Sequence, residues 1–179
     1  MKELSLHILD IVQNSLSAEA KCIHISILYD LSRDLVEIII KDDGRGMTPE
    51  LLAKVADPFV TTRTTREIGM GIPLLKMAAE QTGGAFNIDS TLGQGTELKA
   101  TFVRSNIDTP PLGDMAETIV TLVQGAPDVE FIYSHEEDLK KFKFDTREVR
   151  EVLGDVPLNE PDVLSWIKNT ISESEATES

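Results

Sequence analysis

The chain has 179 residues, 41% of them hydrophobic and 27% charged, and a formal net charge of −14. That length suits one domain, or one domain with a small second unit. The acidity argues against general binding to nucleic acid or anionic membranes, and no run of about 18 apolar residues is present to span a membrane.

Near the start, Glu3, His7 and Asp10 interrupt any signal-peptide core, and the single cysteine, Cys22, permits no intrachain disulfide. A cytoplasmic protein is expected. Residues 2–17 read as an amphipathic helix, with Leu4, Ile8 and Ile11 on one face and Leu9, Val12 and Leu16 beside them. Residues 23–29 alternate with period two, and residues 35–41 form a second strand across a polar turn. Thr48 is placed to cap a short helix with Pro49 at its first position. Residues 72–81 read as a helix, and residues 83–90 and 96–103 as strands around the tight turn Leu92-Gly93-Gln94-Gly95. This order implies an α+β fold, a two-layer α/β sandwich with a mixed, largely antiparallel sheet.

Residues 108–114 hold two prolines and a glycine and mark the best boundary. The charge balance changes there: residues 1–105 carry 14 acidic and 11 basic groups, residues 106–179 carry 17 and 6. Two units are therefore expected, 1–105 and an acidic α/β region over 106–179. In the second, a helix over 115–124, strands over 129–134 and 139–144, a helix from Asp145 and another near 163–171 are predicted. Asp145 and Glu148 have capping-box spacing, and the polar stretch 172–179 reads as disordered. Solubility is the ordinary reading of the acidic region, and a docking surface for a basic partner is the sharper one.

Four stretches carry candidate chemistry. Asp10 and Asn14 are four apart on one face of the first helix, and Gln13 and Ser17 extend the polar stripe. Asp42 ends an apolar strand inside Asp42-Asp43-Gly44-Arg45-Gly46-Met47. A carboxylate pointing inward there needs donors, and an exocyclic amine such as adenine's would supply one. Gly44 and Gly46 would let backbone approach a flat ring. Threonines 61, 62, 64 and 65 and the arginines Arg63 and Arg66 precede Gly69-Met70-Gly71 and a helix near Ile72. Glycines at a helix start expose N–H groups that suit phosphate, and arginine adds charge-assisted bonds. The spacing is neither GxxxxGK[ST] nor GxGxxG, since Leu74 stands where the latter needs glycine. Thr96 opens a strand after Gly93 and Gly95, and its hydroxyl could share a ligand with Asp42. Taken singly, each stretch also reads as a solvent face, loop or turn.

In this order and on these elements the four stretches resemble the GHKL superfamily of Bergerat-fold ATPases. That superfamily includes gyrase-type ATPases, the heat-shock-chaperone ATPase, histidine-kinase catalytic domains and MutL. Asp10-Ile-Val-Gln-Asn14 is similar to the N box, Asp42-Asp-Gly-Arg-Gly46 to the DxGxG box, and Asp57-Pro-Phe-Val-Thr-Thr-Arg63 to the histidine-kinase F-box region. Gly69-Met-Gly71-Ile72 and Gly93-Gln-Gly95-Thr96 are similar to the second and third glycine boxes. The resemblance covers residues 1–105.

The resemblance implies ATP and Mg²⁺ as cofactors, with Asn14 holding the metal and Asp42 reading adenine. Asp10 stands where a catalytic glutamate is often found, one methylene shorter. Gly44, Gly46, Met47, Thr62, Arg63, Gly69, Met70, Gly71, Ile72 and Thr96 would surround the nucleotide. Ser17 takes the place of a lysine that many histidine kinases have near the phosphates, with Arg63 as a compensating cation. The lid, residues 61–68, is short. No histidine-bearing dimerisation helix pair precedes the domain, so a stand-alone protein is expected. The second region is shorter than the transducer domain expected of gyrase or MutL, which disfavours a DNA-linked ATPase. His7 is given a supporting or surface role, Cys22 a small core role, and His24 and His135 no metal.

Two functions fit these residues. One is a regulatory ATPase or ATP-dependent protein kinase resembling anti-sigma-factor kinases. The other is a non-catalytic nucleotide sensor that engages a partner protein through the acidic region. A vestigial fold is disfavoured by the intact residue set. Small proteins of bacterial iron-hydrogenase gene clusters are also similar, which gives a context and no mechanism. A homodimer is left open.

Overall fold

The structure, a computed structural model, describes residues 2–57 and 70–176. Helix α1, Leu4–Ser17, begins without a side-chain cap from Glu3. The N–H groups of Leu4 and Ser5 donate instead to the carbonyls of Pro111 and Leu112, at 2.9 and 2.8 Å. The proline-rich stretch expected to separate two units thus satisfies the orphan donors of the first helix. Along α1 the buried stripe is Leu4, Ile8, Ile11 and Ser15, with His7 and Val12 flanking it.

Strands β1, Cys22–Asp30, and β2, Leu35–Asp42, pair antiparallel, with Ile25 opposite Ile40 and Ile27 opposite Ile38. Alternation sends these isoleucines into the core. Helix α2, Pro49–Val55, is capped as expected: the Thr48 hydroxyl accepts from the Leu51 N–H at 3.2 Å. Helix α3, Gly71–Gln81, is followed by β3, Phe86–Thr91, and β4, Gly95–Val103. The acidic region supplies α4, Met115–Gly125; β5, Glu130–Glu137; β6, Lys140–Asp145; α5, Thr146–Leu153; and α6, Pro161–Ala176.

The six strands among the described residues form one sheet in the order β3-β4-β2-β1-β5-β6. Every pairing is antiparallel except β1 with β5. The two-layer sandwich with a mixed sheet is therefore as expected. In the helical layer α1 packs on α3 and α4, and α4 packs on α6. The charge boundary is not a break in the sheet. Ile23, Ile25 and Ile27 of β1 lie beside Phe131, Tyr133 and His135 of β5, and one hydrophobic cluster runs from Leu4 to Ile171.

Three local expectations are corrected. The stretch read as disordered from residue 172 is helical as far as Ala176. Glu175 gives the reason: it accepts from the Tyr133 hydroxyl at 2.7 Å and pairs with His135 Nδ1 at 2.9 Å. Composition cannot reveal a buried partner on another element. Asp145 fills the cap role but accepts from the Arg147 N–H at 2.9 Å, one position before the Glu148 that a capping box uses. Cys22 is also partly exposed rather than fully in the core; its thiol pKa is raised, chiefly by burial.

Candidate functional site

β2 delivers Asp42 as its last residue, directly opposite Thr96 of β4. The Gly44 N–H donates to Asp42 Oδ1 at 2.8 Å and the Ser15 hydroxyl donates to Oδ2 at 2.6 Å. The carboxylate is thereby held between strand and helix with lone pairs to spare. Asp43 performs a different task. Its Oδ1 accepts from the N–H groups of Lys21 and Cys22, at 2.7 and 2.9 Å, and fixes the start of β1.

The turn after Asp42 is clamped on both sides. The Arg45 N–H donates to the Ala18 carbonyl at 2.9 Å, and the Arg45 carbonyl accepts from Gly93 at 2.6 Å. Gly46 has φ +72° and a Cβ there would lie 2.1 Å from the Thr91 carbonyl oxygen. Gly95 has φ +124° and a Cβ would lie 2.0 Å from the Asp42 carbonyl oxygen. Only glycine satisfies both the conformation and the approach at these two positions. Ser90 completes the frame, accepting from the Met47 N–H at 2.8 Å and bonding the Thr96 hydroxyl at 2.8 Å.

Asp42, Ser15, Arg45, Met47 and Thr96 border a cavity of ≈ 130 Å³. Its polar lining includes Asn14, Ser15, Ser17, Asp42, Arg45 and Thr96; Met47, Ile72, Ile40 and Leu98 are among its apolar walls, and Gly46 lies on its border. An apolar pocket with a few convergent polar groups is the usual form of a small-molecule site. Asn14 Nδ2 is buried without a hydrogen-bond partner among the described residues, which marks an amide awaiting one.

Asp10 lies one helical turn from Asn14 and meets the start of α3. A Cβ on Gly71 would sit 3.1 Å from the Asp10 Cβ, so glycine permits this helix contact. The half-exposed Asp10 carboxylate accepts a hydrogen bond from Lys2 Nζ in an ion pair. His7, one turn earlier, is 4% exposed and its Nδ1 has no partner among the described residues. Burial first, then the Lys2 charge, pushes its pKa down to about 4, against an upward pull from Asp10. His7 is thus a buried neutral imidazole, which excludes the surface role.

The structure brings Asn14, Ser17, Asp42, Gly46, Met47, Ile72 and Thr96 to one cavity, with Gly44 bonded to Asp42. Asp10 and Gly71 adjoin each other. Met70, at the N-cap of α3, is exposed and does not line the cavity. Thr62, Arg63 and Gly69 lie outside the described residues, as does the expected lid. Sequence reasoning missed Ser15, Ser90, Arg45 and Lys2. Ser15 had a signal: it falls on the apolar stripe of α1, where a hydroxyl needs a partner.

Residues 2–106, more than half the chain, match the family of histidine kinase-, DNA gyrase B- and HSP90-like ATPases. The chain belongs to this ATPase family. A protein named as an NtrY-like sensor histidine kinase of Rickettsia typhi is 28% identical over 78 residues, 44% of this chain and 13% of that protein. One named as a probable C4-dicarboxylate sensor kinase of Bacillus subtilis is 32% identical over 88 residues, 49% of this chain and 16% of that protein. The matched stretch is thus a small fraction of these kinases. Among solved structures, the Aquifex aeolicus MutL ATPase domain complexed with ADP superposes with a TM-score of 0.52 at 18% identity, covering 86% of this chain and 69% of that one. The N-terminal domain of a DNA repair protein gives 0.54 at 14% identity, covering 81% and 52%. The structural likeness shows the fold, and it extends beyond the 105 residues of the family match into the acidic region. No helix among the described residues is long and apolar enough to cross a membrane.

Proposed function

We propose that this member of the ATPase family binds Mg²⁺-ATP in the cavity above Asp42 and acts as an ATPase or ATP-dependent protein kinase of anti-sigma-factor type. The observation that carries the reading is the anchored Asp42 carboxylate, set opposite Thr96 and beside an apolar wall. A carboxylate fixed by Gly44 and Ser15 has lone pairs aimed by its surroundings, and the exocyclic amine of adenine is a complementary donor. The apolar walls suit the ring. The MutL domain of similar fold was solved with ADP, which supports a nucleotide as the ligand class.

The described residues fit Mg²⁺ held largely by substrate. Asn14 lines the cavity and carries an amide oxygen, the ligand type Mg²⁺ takes, and no group of three His, Cys, Asp or Glu side chains among the described residues could hold a metal alone. A cation that binds one protein oxygen and otherwise phosphate and water matches this supply. Bound there, Mg²⁺ would neutralise phosphate charge. α3 begins against Asp10 and lines the cavity with Ile72; N–H groups at such a helix start would suit phosphate, and Asp10 is the candidate base.

A nucleotide sensor is the second reading. Its specific support is the Lys2 ion pair, which engages the candidate base. The acidic region, continuous with the sheet, would then report nucleotide binding to a protein partner. Calorimetric titration with ATP and ADP, with and without Mg²⁺, together with phosphate release from the same samples, separates the readings. The enzyme predicts Mg²⁺-dependent binding with turnover, and Asp10→Asn should lose turnover while keeping ATP binding. Binding without turnover in the presence of candidate acceptor proteins contradicts the enzyme and favours the sensor.

A further inference from the structure

Ser17 gives the cavity no cation from α1, and Lys2 brings one to the Asp10 carboxylate, one helical turn before Asn14 of the cavity lining. Its ammonium rests on Asp10 Oδ2, and Asp10 in turn packs against Gly71 at the start of α3. The lysine is 35% exposed, so it can exchange partners, while its position along the chain is fixed. The Leu4 and Ser5 N–H groups bond the carbonyls of Pro111 and Leu112 immediately after it. The charge of Lys2 also bears on the buried His7 imidazole, one turn before Asp10 on α1.

We propose that Lys2 is a binding residue for the terminal phosphate of a nucleoside triphosphate. This inference rests on the reading of the cavity as an ATP site. Without nucleotide, the ammonium is held by the Asp10 carboxylate. A terminal phosphate arriving at the start of α3 carries more charge than that carboxylate and presents several acceptor oxygens. Lys2 moves to it, and Asp10 loses its ion pair as the triphosphate binds. The diphosphate lacks the third phosphate that would draw Lys2 across, so Asp10 stays paired. One residue thereby distinguishes ATP from ADP and frees the candidate base only when substrate is present.

The test is calorimetric titration of wild type, Lys2→Met and Lys2→Arg with ATP and with ADP. Lys2→Met should weaken ATP binding by roughly tenfold or more, the effect of a lost charge-assisted bond, and leave ADP within about twofold. Lys2→Arg should restore most of the ATP affinity. Equal effects on both nucleotides, or none on either, overturn the assignment while wild-type binding preserves the cavity reading. Increased phosphate release by Lys2→Met with unchanged ATP affinity also overturns it, since Lys2 would then only restrain Asp10. Failure of wild type to bind either nucleotide removes the cavity reading itself, and Lys2 with it.

Discussion

The buried imidazole of His7 makes folding stability depend on pH in a predictable direction. Its folded pKa is pushed down from 6.5 to about 4, with burial the largest cause. Between those values the unfolded chain binds a proton that the folded chain refuses. The contribution of neutral His7 is therefore complete above pH 6.5 and is lost as the pH falls toward 4. At about 1.4 kcal/mol per pH unit the whole effect is about 3 kcal/mol, of which about 2 kcal/mol has gone by pH 5. Lys2 and Asp10 face the same turn and act in opposite senses, so burial decides the sign. The assay is urea unfolding of wild type and His7→Gln at pH 7, 6 and 5. Glutamine cannot titrate, so wild type should lose about 2 kcal/mol more than the variant between pH 7 and 5. Parallel losses in the two proteins would refute the argument and mean that His7 is solvated or protonated in the fold.

Three other substitutions probe the frame. Ser15→Ala removes the hydroxyl donor on Asp42 and should cost about 1–2 kcal/mol in urea unfolding and weaken ATP binding in calorimetry. Gly95→Ala forces a side chain into a positive-φ position against the Asp42 carbonyl, and should lower the thermal midpoint and reduce nucleotide affinity together. Glu175→Ala leaves the Tyr133 hydroxyl and His135 without their carboxylate, and should cost about 1–3 kcal/mol of stability while ATP affinity is unchanged.

Much of the fold was legible because local rules and tertiary packing agree. Alternating isoleucines in β1 and β2 and the Thr48-Pro49 cap state their structure directly, and the element order gives the sandwich. The juxtaposition of Asp42 with Thr96 was legible too, because both sit at strand ends framing glycine turns. What stayed hidden depends on partners distant in sequence. Glu175 orders the end of α6 through two residues on β5, so a stretch polar enough to look disordered is helical. Ser15 was obscured by its neighbours Asn14 and Ser17, although its place on the apolar stripe required a partner. The ion pair of Lys2 with Asp10 follows no spacing rule, and the backbone bonds just after it reach Pro111 and Leu112, more than a hundred residues away. The pairing of β5 with β1 stayed hidden because the charge change at residue 106 reports the solvent face and not the strand pairing.

The central claim is that the fixed Asp42 carboxylate reads the base of a bound nucleotide. Calorimetric titration of wild type and Asp42→Asn with Mg²⁺-ATP tests it most directly, with urea unfolding of both to confirm that the variant folds. The account predicts binding by wild type and a loss of roughly tenfold to beyond a hundredfold in the folded variant, the expected effect of removing a charge-assisted bond. Tight ATP binding that survives in folded Asp42→Asn would contradict it.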